Sequence, residues 1–205
     1  MSQDLFEFER INIFTLGNSI VGKSTFIIRY TQNFFEEHYI ANYGVDYRIK
    51  KIILPNEKKI KLCLYDTAGQ ERYKSISMNM IKMADGIILM YDITDRSSFE
   101  SVKGWVKSII DEKGDNFPIV LLGNKIDLED KRKVSTKEGQ NEADTLGLKF
   151  FEISNKEGIN IKESILELVS LVNKKKEEDK EKEKEINKMK LDKSKAKNRG
   201  NSCKC

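Results

Sequence analysis

Eight residues, Gly17-Asn18-Ser19-Ile20-Val21-Gly22-Lys23-Ser24, carry the spacing GxxxxGK[ST]. They follow the apolar run at 11–16 and precede Thr25-Phe26-Ile27-Ile28-Arg29-Tyr30, which reads as strand, glycine-rich loop and helix. In that context the match is a phosphate site. The two glycines let successive backbone N–H groups turn inward on an anion. The helix opening at Gly22-Lys23 adds the positive end of its dipole. Lys23 then reaches the β- and γ-phosphates, and the Ser24 hydroxyl is placed to reach Mg²⁺. Residues 17–25 therefore read as a nucleoside triphosphate cradle, which by itself names neither the base nor the fate of the phosphate.

Two further clusters supply what the cradle lacks. Leu62-Cys63-Leu64-Tyr65-Asp66 ends an apolar run and leads into Thr67-Ala68-Gly69-Gln70-Glu71. On its own Asp66 is an ordinary strand-end turn residue. Downstream of Lys23 it becomes a carboxylate for the Mg²⁺ hydration shell. Gly69 permits close backbone approach to a terminal phosphate, and the Gln70 amide stands where it could orient an attacking water. Asn124-Lys125-Ile126-Asp127 closes the buried run at 119–123. A carboxylate there can accept from both N1–H and the exocyclic amine of guanine, a donor pair that adenine lacks, so Asp127 selects the base.

The elements that must position these residues alternate between apolar runs and helical patterns, the signature of a parallel sheet covered by helices. Strands are expected at 11–16, 45–54, 60–66, 86–92, 118–123 and 149–153. The turn-rich stretch 55–59 makes the second and third an antiparallel hairpin. Ser97 or Ser98 caps a helix carrying Phe99, Val102, Trp105 and Ile109, with Trp105 assigned to the core. A further helix is expected over 135–146. The last helix presents Ile161, Ile165, Leu168, Val169 and Val172 as one stripe. The long polar segment 32–47 reads as a functional loop.

Charge divides the chain in two. Residues 174–205 hold thirteen Lys and Arg against seven Asp and Glu, leaving 24 basic and 26 acidic residues in the body. The basic balance therefore belongs to the tail, which argues against a globular nucleic-acid-binding face and for an anionic membrane as partner. With almost nothing to bury, the tail reads as disordered. Three cysteines at 63, 203 and 205 fit neither a zinc site nor a disulfide framework, and a reducing compartment is expected. The N-terminus lacks the pattern of a signal peptide. No apolar stretch approaches transmembrane length. Domain boundaries are read as a folded unit at 1–173 and a charged tail at 174–205.

The phosphate loop, Asp66-Thr67-Ala68-Gly69-Gln70-Glu71, Asn124-Lys125-Ile126-Asp127 and Ser154-Asn155-Lys156 occur in the order of the small GTPases. Tyr43-Gly44-Val45-Asp46-Tyr47, Arg72-Tyr73-Lys74-Ser75-Ile76 and Tyr91-Asp92-Ile93-Thr94 resemble the Rab family in particular. The resemblance implies an α/β P-loop fold, a six-stranded sheet with one antiparallel strand and five helices. It implies GTP and GDP as bound nucleotides, Mg²⁺ as cofactor and GTP hydrolysis. Residues 35–47 and 67–83 correspond to the two switch segments. Phe35 would lie against guanine and Tyr39 near the phosphates. Ser154 and Lys156 would line the base pocket, and Asn155, where the family usually has Ala, would offer its backbone N–H to guanine O6. Exchange factors, GTPase-activating proteins, a GDP-dissociation inhibitor or escort protein, and effectors are the implied partners.

Three departures stand out. The threonine with which the family's first switch binds Mg²⁺ falls on Asn42, and no Ser or Thr occurs between Gln32 and Asp66. The effector-facing Phe, Trp and Tyr become Tyr47, Tyr65 and Met80. A Tyr-Tyr-Arg-Gly-Ala stretch becomes Met80-Ile81-Lys82-Met83-Ala84. The ending Cys203-Lys204-Cys205 is not a CaaX box; it resembles the CxC ending that receives two geranylgeranyl groups in Rabs. The expectation is a GTP-hydrolysing switch in vesicle trafficking, on the cytosolic face of an endomembrane and cycling with the cytosol. Asn42 keeps open the alternative of a nucleotide-binding scaffold with little hydrolysis.

Overall fold

A computed structural model describes residues 8–35, 46–66 and 81–200. Six strands form one sheet: β1 Glu9–Leu16, β2 Asp46–Ile53, β3 Lys59–Asp66, β4 Gly86–Asp92, β5 Ile119–Asn124 and β6 Lys149–Ile153. Their order is β2-β3-β1-β4-β5-β6. Among the described strands only the β2–β3 pair is antiparallel, with Asp46 opposite Asp66 and Ile53 opposite Lys59. Its hairpin closes through Leu54, whose N–H donates to Lys58 O at 3.0 Å and whose O accepts from Glu57 N at 2.9 Å. The expected strands and hairpin are all present, within two residues at each end.

Side-chain alternation along β1 builds two cores at once. Ile11 and Ile13 face α1 (Lys23–Gln32) and the last helix, α5 (Ile161–Gly200), meeting Phe26, Ile165 and Leu168. Phe14 and Leu16 face the other way, with Val102, Val106 and Ile109 of α3 (Val102–Lys113) and Ala143 of α4 (Thr136–Leu146). β4 lies at the centre of the parallel part, and all seven of its residues are buried, as its unbroken apolar run requires. The stripe expected on the last helix, from Ile161 to Val172, is buried.

One expectation meets a different outcome. Asp95, rather than Ser97 or Ser98, caps the helix after β4: its carboxylate accepts from Ser97 N at 3.1 Å. That helix, α2 (Arg96–Glu100), is separate from α3, with Ser101 between them. Ser98 is drawn inward, where its hydroxyl accepts from Asp92 N at 3.0 Å and donates to Asp95 O at 2.7 Å. The bounds of α5 run on into the charged segment after residue 173. Lys175 pairs with Asp179 at 3.1 Å in the helical i,i+4 arrangement. Lys176 reaches Glu9 at 3.2 Å at the start of β1. From Asp179 to Ile186 every side chain is exposed, so nothing beyond local pairing supports the helix there.

Candidate functional site

β1, β3, β4, β5 and β6 all end at the same edge of the sheet, and the chemistry-bearing residues follow those ends, where open α/β sheets place ligands. After β1 the chain turns at Gly17, whose φ of 135° suits glycine. A Cβ there would stand 2.2 Å from the carbonyl of Met90. Ile20 takes a φ of 66°, a rare value for a β-branched residue, and is almost fully exposed. Gly22, at φ 104°, caps α1, and a Cβ on it would lie 2.3 Å from Asn124 Nδ2. The loop is thus held close against its neighbours at both glycines.

Lys23 is 3% exposed and bends back over this loop. Its ammonium donates to Gly17 O at 2.9 Å and to Asn18 O at 2.7 Å. A buried cation surrounded by backbone dipoles at a helix N-terminus is a site for an anionic group. Ser24 and Asp66, each 8% exposed, bring a hydroxyl and a carboxylate to the same end of the sheet. These are hard oxygen donors that suit Mg²⁺. Among the described residues no cluster of three His, Cys, Asp or Glu exists.

The second half of the site is a set of cross-links around the end of β5. Asn124 is buried and donates from Nδ2 to Val21 O at 2.8 Å. Its Oδ1 accepts from Asn155 N at 3.3 Å, so the N–H assigned to guanine O6 already has a long partner. Lys125 takes a left-handed φ of 73° and pairs with Asp92 at 2.6 Å. Ser154 donates to Asp127 Oδ1 at 2.6 Å. That bond fixes the carboxylate plane and leaves lone pairs for a bidentate donor. Thr25 Oγ1 donates to Gly22 O at 2.9 Å.

Sequence reasoning missed three participants. The Asn155 side chain donates from Nδ2 to Gly22 O at 2.9 Å and to Thr25 Oγ1 at 2.8 Å, bonds that an alanine cannot make. Arg29 donates to Asn155 O at 2.6 Å and to Lys156 O, and its guanidinium lies 5.9 Å from the Phe35 ring centroid. This holds Phe35 next to the loop at 154–156. Trp105, assigned to the core, is partly buried against it but also donates from Nε1 to Asn18 Oδ1 at 3.2 Å. Each partner is remote in sequence, and only the helix faces bearing Arg29 and Trp105 were legible beforehand. Tyr39, Asn42, Gly69, Gln70, Met80, Cys203 and Cys205 lie outside the described residues.

Similarity to known proteins covers most of the chain. The Ras family profile matches residues 12–174. Ras-related protein Rab-3C of Bos taurus is 43% identical over 160 residues, which is 78% of this chain and 70% of the relative. Ras-related protein Rab-3A of Homo sapiens is 44% identical over 163 residues, 80% of this chain and 74% of the relative. Ras-related protein Rab-3D of Homo sapiens is 42% identical over 160 residues, covering 78% and 73%.

Proposed function

The chain belongs to the Ras family of small GTPases, on its Rab branch, and from that premise we propose how its own residues carry the switch. As a member it is a GTP-binding GTP hydrolase of vesicle trafficking. In our reading, backbone N–H groups of residues 17–25 and the Lys23 ammonium hold the phosphates. Asp127, Asn124 and the loop at 154–156 hold guanine, with Phe35 against it. The observation that carries this reading is the Ser154–Asp127 bond at 2.6 Å, beside an Asn124 that ties the base loop to the phosphate loop.

Ser24 and Asp66 would hold Mg²⁺, which when bound neutralises charge on the β- and γ-phosphate oxygens. Gln70 orients the attacking water, and Tyr39 approaches the phosphates. The basic tail and the pair Cys203 and Cys205 anchor the chain, since two lipid chains hold where one gives marginal binding. Nearby Lys and Arg each add about 1 kcal/mol on an anionic leaflet. Exchange factors, activating proteins and effectors act on the switch segments.

The test is base selectivity. Purified chain should take up GTP and GDP and discriminate strongly against ATP. Asp127→Asn should lose GTP and gain xanthosine triphosphate, because the donor–acceptor match with the ring is inverted. Comparable binding of ATP and GTP by the parent protein would overturn the assignment.

A further inference from the structure

A cavity of about 660 Å³ lies away from the phosphate loop, between the C-terminal half of α1, the edge strand β2 and the first turns of α5. Its volume lies in the range of specific binding sites. Arg29, Lys50 and Lys162 line it, and among the described residues no carboxylate does. Ile52, Leu54 and Leu166 supply apolar wall. The groove is therefore cationic and greasy at once.

None of the three cations has an acidic partner among the described residues. Arg29 spends its donors on the carbonyls of Asn155, Lys156 and Asn33. Lys50 donates to Tyr30 O at 2.5 Å and lies 4.2 Å from the Tyr30 ring centroid. Burial, and then the charge of Lys162, push the Lys50 ammonium below its usual range. An incoming carboxylate would relieve both the repulsion and the missing ion pair. Beside it, β2 is the outer strand of the sheet, and its outer edge faces no other strand of that sheet.

We propose that this groove docks an acidic, apolar-flanked segment of a partner protein, and that the docked carboxylates act through Arg29 on the loop at 154–156. A partner protein fits better than a lipid surface. The outer edge of β2 beside the groove offers strand-pairing groups that an extended peptide can use and a bilayer cannot. Carboxylates that draw Arg29 toward the groove loosen its bonds to Asn155 and Lys156, and with them the base loop. This second half rests on the nucleotide reading above, whereas the docking half does not.

The probe is a blocked ten-residue peptide alternating Glu with Leu and Phe, with a Gln-for-Glu peptide as control, titrated into the ¹⁵N-labelled full chain. Amide shifts at Lys50, Ile52, Gly158 and Lys162 are expected with the acidic peptide only. A Lys50→Gln/Lys162→Gln variant should bind at least tenfold more weakly. Equal shifts with the Gln peptide, shifts confined to the lysines at 174–184, or undiminished binding by the variant would overturn the docking site. Groove shifts given by anionic phosphatidylserine nanodiscs and not by the peptide would overturn the partner class. In a second arm the acidic peptide should speed release of a fluorescent GDP analogue severalfold from the parent and not from the variant. Unchanged release in the presence of groove shifts overturns the coupling through Arg29. Failure to load the analogue at all counts against the nucleotide reading and leaves the shift experiment intact.

Discussion

The side-chain amide of Asn155 donates to the carbonyl of Gly22 at 2.9 Å, joining the base loop to the phosphate loop across 133 residues of chain. A second bond from the same amide, to Thr25 Oγ1, anchors the first turn of α1. The two halves of the site are therefore tied directly, in addition to the link through Asn124.

Replacing Asn155 with the alanine usual in the family removes both bonds. Each is worth about 0.5–1.5 kcal/mol net. Part of that is offset, because Asn155 Oδ1 is buried with no hydrogen-bond partner among the described residues and disappears with the side chain. We expect Asn155→Ala to lose about 1 kcal/mol, which corresponds to roughly fivefold faster nucleotide release. Stopped-flow release of a fluorescent GDP analogue measures it, and an unchanged rate would show that the bridge is idle.

The fold was legible because strands and helices announce themselves by period, and the phosphate and base motifs by spacing along a single stretch. The proposed role of Asp127 rests on four consecutive residues, Asn124 to Asp127. Arg29 could not, because its carbonyl partner Asn155 lies 126 residues away and nothing in α1 marks one polar residue above another. Asp95 lost the cap to Ser97 and Ser98 in the sequence reading because all three are good caps. What decides between them is that Ser98 is recruited by the end of β4. In the tail, alternating Lys and Glu fit either solvated coil or an i,i+4-paired helix, because there is almost nothing to bury.

α4 begins with a capping box in which Ser135 accepts from Glu138 N and Glu138 accepts from Ser135 N. The Ser135 backbone N–H first, then Arg96 and the Ser135 hydroxyl, hold the Glu138 carboxyl down to about 2 from its usual 4.5. A depressed carboxyl contributes stability above its unfolded value and loses it as pH falls through the folded one. The loss attributable to Glu138 therefore falls between pH 4.5 and about 2. Glu138→Gln keeps an acceptor for the cap but has no proton to take up. Its urea midpoint should be slightly lower at pH 7 and should fall less steeply across that window. An identical slope in parent and variant would show that the cap does not couple to protonation.

Tyr91 is fully buried on β4, and its hydroxyl has no hydrogen-bond partner among the described residues. Burial holds the phenol far above its ordinary titration range. Deleting an unsatisfied buried hydroxyl removes its desolvation cost, so Tyr91→Phe should be neutral or stabilising by up to about 1 kcal/mol, a rise of roughly 2–4 °C in Tm. Gly139 makes the contrast. A Cβ there would stand 2.4 Å from the Tyr91 hydroxyl and 2.6 Å from Phe150. Gly139→Ala should cost about 1–3 kcal/mol through overpacking, and less in the Tyr91→Phe background, where one of the two clashes is gone. Thermal melts of the four proteins decide it; strict additivity would show that the hydroxyl is not the obstacle.

If Asn42, which lies outside the described residues, takes the place of the family's Mg²⁺-binding threonine as the resemblance implies, its role follows from side-chain chemistry. A threonine hydroxyl sits one bond from Cβ and can reach the ion while the backbone N–H meets the γ-phosphate. The asparagine carbonyl is also a hard ligand but sits one bond further out. Mg²⁺ demands near-octahedral geometry at about 2.0–2.1 Å and keeps a water in preference to a strained ligand. Nucleotide affinity should change little if, as proposed, Lys23, Ser24, Asp66 and Asp127 supply most of the grip. Ordering of the first switch by GTP should be weaker than with threonine. No arginine is visible in the motifs to stabilise the transition state, so unaided turnover should not exceed the ~10⁻³–10⁻⁴ s⁻¹ scale of a small GTPase without its activating protein. Asn42→Thr should tighten Mg²⁺ in the GTP state and leave the GDP state nearly unchanged, read from Mg²⁺ titrations of nucleotide release in both states. Equal Mg²⁺ affinity of parent and variant with GTP would show that Asn42 ligates adequately or that this chain never draws on that position.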